Sequence, residues 1–286
     1  MEKVDVFIES FKYIKEFKNK IFVIKIGGSI YQIKEAKESI LFDIAFLSTI
    51  GIKIIIVCGG GKFISEEIKK KGKKTEFVDG LRVTDFETLQ IVKSVLFKIR
   101  DEIVENLNKY GVAVDKLEPD EKFVFASKIH YQKGEEIIDL GFVGSVKKVD
   151  VEYIKNRLKE KDILVCAPIA IGEDGNLYNV NGDSFAANIS INLKNEKLIF
   201  ITDVPGVMRN LEKSDTLISI LTASECEELL NEGVIKGGMI PKIRASINGI
   251  KNGVKKVHII SGNISHSLLI EVLTDHGIGS EIIKNE

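Results

Sequence analysis

The chain has 286 residues, with 41 Lys plus Arg against 42 Asp plus Glu and a formal net charge of -1. That length allows about two domains or one large α/β unit with a sizeable core, and the charge balance leaves no global basic field to recruit nucleic acid or an acidic membrane. Cys58, Cys166 and Cys226 stand apart without Cys-x-x-Cys spacing, which argues against a disulfide framework and a zinc site and for a reducing cytoplasm.

The segment VDVFIESFKYIKEFK (4–18) places Val4, Phe7, Ile8, Phe11 and Ile14 on one helical stripe. Its acidic, amphipathic character is not that of a targeting signal, and no later apolar run approaches the roughly 18 residues that span a bilayer. Beyond it, short Ile- and Val-rich runs alternate with helix-period segments. IFVIKI (21–26), IKIIIVC (52–58), DILVCAPI (162–169), KLIFITDV (197–204) and KKVHII (255–260) each read as a buried strand. KKKGKK (69–74) follows ISEEI and reads as a solvated helix end. Residues 85–111 and 239–253 carry helical periodicity with Gly at or near their ends. The stretch 122–140 alternates around QKGEE and is expected to be an inserted β-hairpin. YNVNGDSFAAN (178–188) has Asn-Gly-Asp turn chemistry, with Asp183 or Ser184 as an N-cap for the helix that follows. Strands alternating with helices imply a mostly parallel sheet covered on both faces, with a lobe boundary near Tyr178.

Ligands of such sheets bind beyond the carboxyl ends of the strands, and three exits are glycine-marked. IKIGGS ends in Gly27-Gly28-Ser29, VCGGGK carries Gly59-Gly60-Gly61, and TDVPGV carries Asp203, Pro205 and Gly206. Glycines let backbone N–H groups approach anionic oxygens, and a following helix adds the positive end of its dipole. Two glycine-rich exits on neighbouring strands suggest a polyanion between them. Neither the Walker pattern nor a complete G-x-G-x-x-G is present. Lys25 instead lies inside a strand, where desolvating its charge is costly unless it meets an anion. Lys242, in GGMIPKIRAS, stands near the start of a helix.

IKIGGS, CGGGK, DGLRVTD, DLGFVG, YNVNGD, ITDVPGV, GGMIPK and LLIEVLTDHGIG occur in this order, and together the chain resembles the N-acetyl-L-glutamate kinases of the amino acid kinase superfamily. The resemblance implies a three-layer αβα sandwich of the α/β class with a mostly parallel central sheet. It divides the chain into an oligomerisation helix (1–19), an amino-acid-substrate lobe (20–177) and a nucleotide lobe (178–286). It implies MgATP-dependent phosphorylation of a side-chain carboxylate in arginine biosynthesis, with Mg²⁺ held through the ATP phosphates and no metal ligands of the protein's own. Lys25 and Lys242 would flank the transferring phosphoryl group, and Asp183 would hold both lysines. Gly60, Gly61, Arg82 and Asn179 would bind the acid, while Gly27, Gly28, Asp203, Val204, Gly206 and Lys236 would bind the nucleotide. Arginine-inhibited members carry an extra N-terminal helix that interlaces dimers into a hexameric ring. Tyr13, Lys197, Glu271 and Gly277 match their effector site, and a PII-type regulator stays open.

A carboxylate with a reference pKa of about 4.3 is ionised at neutral pH, so its attack on phosphorus needs no general base. His130, His258, His266 and His276 are therefore assigned structural or regulatory roles. The chain departs from the family at Cys58, usually His, at Lys62, often Pro, and at Gly182, commonly Ala. Lys62 could adjust acyl-group preference or phosphate affinity. Competing readings are another carboxylate kinase of the superfamily, of aminoadipate or aspartate type, a uridylate kinase, or a non-catalytic arginine-sensing relative.

Overall fold

The computed structural model describes residues 3–134, 136–210 and 213–285. Residues 1 and 2 of the expected oligomerisation segment and residue 135 of the expected hairpin lie outside them. In chain order the first elements are α1 (Lys3–Phe17), β1 (Ile21–Ile26), α2 (Lys34–Thr49), β2 (Lys53–Cys58), α3 (Gly61–Lys70), β3 (Phe77–Val78), β4 (Leu81–Arg82), α4 (Phe86–Lys109) and β5 (Val114–Leu117). There follow β6 (Val124–Lys133), β7 (Glu136–Val149), α5 (Val151–Glu160), β8 (Ile163–Cys166), β9 (Ile169–Gly172), β10 (Leu177–Val180) and α6 (Gly182–Leu193). The last are β11 (Lys197–Thr202), β12 (Ile220–Thr222), α7 (Ala223–Asn231), α8 (Met239–Lys251), β13 (Lys256–Ser261), α9 (Ser267–Leu273) and β14 (Ser280–Ile283).

One eight-stranded sheet runs β12-β14-β13-β11-β1-β2-β8-β5. Its ladders are parallel except where β14 meets β13. Successive strand residues face opposite sides, and both sides are apolar here. Val23, Val57 and Phe200 pack beneath α5, α6, α7 and α8. Phe22, Ile24 and Ile56 pack beneath α1, α2, α3, α4 and α9. Covering both faces explains why the strands read as continuous apolar runs, and it produces the expected three layers.

The hairpin is longer than expected and is not free-standing. β6 and β7 join β9 and β10 in a closed four-stranded barrel, helped by register shifts in β6 at Phe125/Ala126 and Lys128/His130 that increase local twist. The run 162–169, expected as one strand, divides at Ala167-Pro168: β8 stays in the central sheet and β9 enters the barrel. Proline has no N–H for a ladder, so the change of sheet falls where pairing is already interrupted. Tyr178 lies inside β10, so the expected lobe boundary passes through a barrel strand. At the expected solvated helix end, Lys69, Lys70 and Lys71 are exposed, whereas Lys73 pairs with Asp85 and Glu87.

Candidate active site

Lys25 alternates with Val23 along β1, so it belongs to the sheet face covered by α6 and α8. Those helices supply its carboxylate partner and a second lysine on the same carboxylate. Lys25 Nζ lies 2.8 Å from Asp183 Oδ1, and Lys242 Nζ donates to Asp183 Oδ2 at 3.2 Å. Lys25 is 8% exposed and Asp183 4%. Burial pushes the Asp183 carboxyl up, but the Lys25 and Lys242 ammonium groups outweigh it and hold it below the ordinary carboxylate range. Burial, followed by the nearby Lys25 charge, pushes Lys242 down.

Neither Asp183 nor Ser184 caps α6. The cap is Asn181, whose Oδ1 accepts from Asp183 N at 3.0 Å and Ser184 N at 3.1 Å. The amide thereby takes over the usual N-terminal task of an Asp or Ser and leaves the Asp183 carboxylate to the lysines.

The two glycine exits touch. A Cβ on Gly28 would come 3.1 Å from Gly60 Cα, and one on Gly59 would come 2.8 Å from Ile26 O. Side chains there would force the loops apart. α3 starts at Gly61 behind a Gly60 N-cap that makes no side-chain cap bond, which leaves a helix N-terminus suited to an anion.

Two cavities meet at this point. A cavity of about 210 Å³ is bordered by Gly60, Leu81, Asn179 and Asp183, and a larger one of about 660 Å³ by Gly28, Ser29, Asp203, Gly238 and Lys242. Lys25, Gly61 and Arg82 border both. Arg82 Nη2 donates to Gly61 O at 3.0 Å and to Ser65 Oγ at 2.9 Å, and the guanidinium stacks on Phe77 at 4.7 Å. Burial pushes Arg82 down to about 10, so it stays charged at neutral pH. Its Nη1 is buried with no partner among the described residues, a donor left for a ligand at this wall. Asn179 Nδ2 donates to Thr84 Oγ1 at 3.3 Å, and Thr84 Oγ1 donates to Arg82 O at 2.7 Å.

Asp203 stands at the exit of β11 on the larger cavity, with Val204 partly buried beside it. Gly206 is buried under β14, where a Cβ would come 2.5 Å from Ser280 Oγ. It serves close packing and lines neither cavity. Lys236 is exposed in the loop before α8 and borders neither cavity. Sequence reasoning missed Ser65, Phe77 and Thr84; only their nearness to GGGK and GLRVTD could have drawn attention to them.

The four expected effector residues gather elsewhere, together with His258, a residue expected from sequence to have a structural or regulatory role. Lys197 Nζ is 2.9 Å from His258 Nε2, and His258 Nδ1 is 2.7 Å from Glu271 Oε1. Glu271 Oε2 also accepts from Ile278 N and Gly279 N, and Gly277 fits so closely that a Cβ would come 2.8 Å from that oxygen. Tyr13 stacks on Phe17, whose ring lies 5.1 Å from Lys197 Nζ. Burial pushes Lys197 down to about 8 and lowers His258 as well.

Residues 20–261 match the Amino acid kinase family. The chain belongs to the amino acid kinase family. Within that family it is 44% identical to an acetylglutamate kinase of Methanocaldococcus jannaschii, over 100% of this chain and 97% of the relative. It is also 44% identical to an acetylglutamate kinase of Archaeoglobus fulgidus, over 99% of each. Among solved structures, the N-acetylglutamate synthase of Neisseria gonorrhoeae complexed with coenzyme A and N-acetyl-glutamate matches with a TM-score of 0.89 and 25% identity. That match covers all of this amino acid kinase and 64% of the synthase, so the chain spans a little under two thirds of that protein's length.

Proposed function

We propose that this chain is an ATP-dependent kinase that phosphorylates the side-chain carboxylate of N-acetyl-L-glutamate to N-acetyl-L-glutamyl 5-phosphate, in arginine biosynthesis in the cytoplasm. The observation that carries the proposal is the Lys25–Asp183–Lys242 cluster at the junction of the two cavities. The acetylglutamate kinases at 44% identity over essentially the whole chain support the choice of acid.

In this reading the smaller cavity holds the acid, with its main-chain carboxylate on Arg82 and its acylated amino acid body against Asn179 and the Gly60-Gly61 loop. The larger cavity holds the nucleotide between Gly27-Gly28 and Asp203. A γ-carboxylate oxygen forms a bond to the terminal phosphorus while the bond to the bridging β–γ oxygen breaks, and ADP leaves with that electron pair. Two anions have to meet, so the obstacle is charge and not proton removal. Lys25 and Lys242 offset that charge, and Asp183 keeps two mutually repelling ammonium groups in place with N–H donors to spare. The larger cavity offers ammonium groups and helix-terminal amides more than carboxylates, and among the described residues no cluster of three metal-binding side chains occurs. Such a wall suits a triphosphate that brings its own Mg²⁺, which supplies further charge neutralisation when bound.

An ATP-dependent hydroxamate assay across N-acetylglutamate, glutamate, aspartate and aminoadipate tests the reading, because hydroxylamine traps an acyl phosphate from whichever acid is accepted. Preference for an acid other than N-acetylglutamate would replace the substrate assignment. No hydroxamate from any acid would favour a non-catalytic relative. Arg82→Lys is expected to raise the KM for the acid by about tenfold with a smaller change in kcat, since an ammonium cannot reproduce a bidentate grip. Initial rates at saturating MgATP check this.

The regulatory part of the proposal is a hexamer, built as a trimer of dimers, that arginine inhibits. α1 leaves Val4, Phe7, Ile8 and Phe11 exposed while Phe17 packs on its own subunit, an apolar stripe available to a second copy. The same helix reaches the effector cluster: Lys12 and Tyr13 bond Asp275, and Glu9 accepts from Asp275 N. Arginine would place its guanidinium on Glu271 and act by binding one ring conformation better than another. Removing residues 1–18 is expected to give active dimers with weakened arginine inhibition, measured by light scattering and an arginine titration. A full-length dimer indifferent to arginine refutes this part alone.

A further inference from the structure

The second glycine loop continues into Lys62, in the first turn of α3, and the reaction described above makes no use of it. Lys62 Nζ lies 3.6 Å from Asp203 Oδ2, with side chains 59% and 47% exposed, and both residues border the larger cavity. The pair therefore bridges the mouth of that cavity, from the start of α3 to the exit of β11.

Its two ends are held very differently. Asp203 is anchored on its own strand by Thr202 Oγ1, which donates to Oδ1 at 3.2 Å, and it also bonds Ser29 of the first glycine loop. Lys62 reaches across on a flexible stem, and a half-exposed ion pair at this separation holds only weakly. An ammonium with three rotatable donors can change anions without any backbone movement. A dense anion entering the cavity outcompetes one half-solvated carboxylate for it.

The position of Lys62 indicates which anion that is. It directly follows Gly61, one of the residues common to both cavities, together with Lys25 and Arg82. The end of a triphosphate that meets the acid must lie at that junction. We propose that Lys62 is a nucleotide-selectivity residue, which Asp203 holds across the cavity mouth and which transfers to the terminal phosphate of ATP when nucleotide binds. Lys62 then aligns that phosphate with Lys25 and Lys242. After transfer the terminal phosphate belongs to the acyl product, and ADP is left without this contact. The proposal rests on the kinase reading above.

Calorimetric titration of the full-length protein with the magnesium complexes of adenylyl imidodiphosphate and of ADP tests it, with Lys62→Met and Lys62→Arg beside the wild type. The exposure of Lys62 lets both variants keep the fold. Lys62→Met is expected to weaken the triphosphate analogue by about 5- to 20-fold and ADP by less than about twofold. Lys62→Arg should stay within about threefold of wild type for both, because the charge is kept. Equal weakening of the two nucleotides by Lys62→Met, or no weakening of the analogue, overturns the proposal. The readout is independent of the acid acceptor, so failure of the wild type in the hydroxamate assay bears on the kinase reading, whereas this titration bears on Lys62.

Discussion

Lys25→Ala and Lys242→Ala are each expected to lower kcat by on the order of 10²- to 10³-fold while changing either KM far less. Each ammonium faces charge that moves only as the phosphoryl group transfers, so its removal is felt in the transition state more than in the bound substrates. Their shared carboxylate makes the effects non-additive. Once one lysine is gone, Asp183 binds the other more tightly and withdraws donors from the phosphate, so the double variant should be little worse than the worse single one. Asp183→Asn should also cut kcat, because a neutral amide cannot hold two ammonium groups together. Steady-state rates at saturating MgATP and acid, with circular dichroism to verify folding, decide the matter. Near-normal turnover in Lys25→Ala would remove Lys25 from the proposed machinery.

Gly141→Ala is expected to destabilise the fold by about 2–4 kcal/mol, from left-handed backbone strain and steric overlap combined. Gly141 has φ +73°, and a Cβ there would come 2.2 Å from Thr84 O. That carbonyl cannot yield, because it accepts from Phe142 N at 2.7 Å while Thr84 N donates to Leu140 O at 2.9 Å. Thr84 in turn holds Asn179 and the backbone of Arg82. Displacing it should therefore also raise the KM for the acid, by about tenfold or more. Gly175→Ala is the control: φ is +79° but nothing lies within 4 Å of its Cβ position, so it should cost only about 1 kcal/mol. Urea unfolding of both variants separates strain from overlap, and equal midpoints for the two would contradict the clash.

Much of the central sheet was legible because both its faces are covered. Buried parallel strands have to be apolar throughout, and the runs at 21–26, 52–58 and 197–204 announce that without any need for tertiary context. Lys25 stood out for the same reason, as a charge in a segment that tolerates none. The barrel was not legible. β9 and β10 have four residues each, too few for periodicity to register, and their pairing with β6 and β7 is a long-range event. The cap of α6 was not legible from turn chemistry, because Asn181, Asp183 and Ser184 are all competent N-caps. The resemblance sets Asp183 aside for the lysines, 158 and 59 residues away in sequence, but does not single out Asn181 as the cap. The Lys62–Asp203 pair joins the start of α3 to the exit of β11, and Lys236 lies in the loop before α8 whereas Lys242 lies within it. Local pattern carries neither fact.

The edges of the eight-stranded sheet bear on how the protein behaves in a crowded solution. One edge strand, β12, has three residues and passes at once into α7, whose start is locked by reciprocal bonds between Thr222 and Glu225. The other, β5, has four residues and carries Asp115 and Lys116, with Arg157 paired to Asp115. Unpaired edges of this length give a foreign strand few backbone groups to bond, and their charges would have to be stripped of water first. The barrel, being closed, offers no edge. A chain so rich in Ile and Val could template its own precipitation, and ending its sheet in two short, guarded strands protects it from strand-by-strand aggregation.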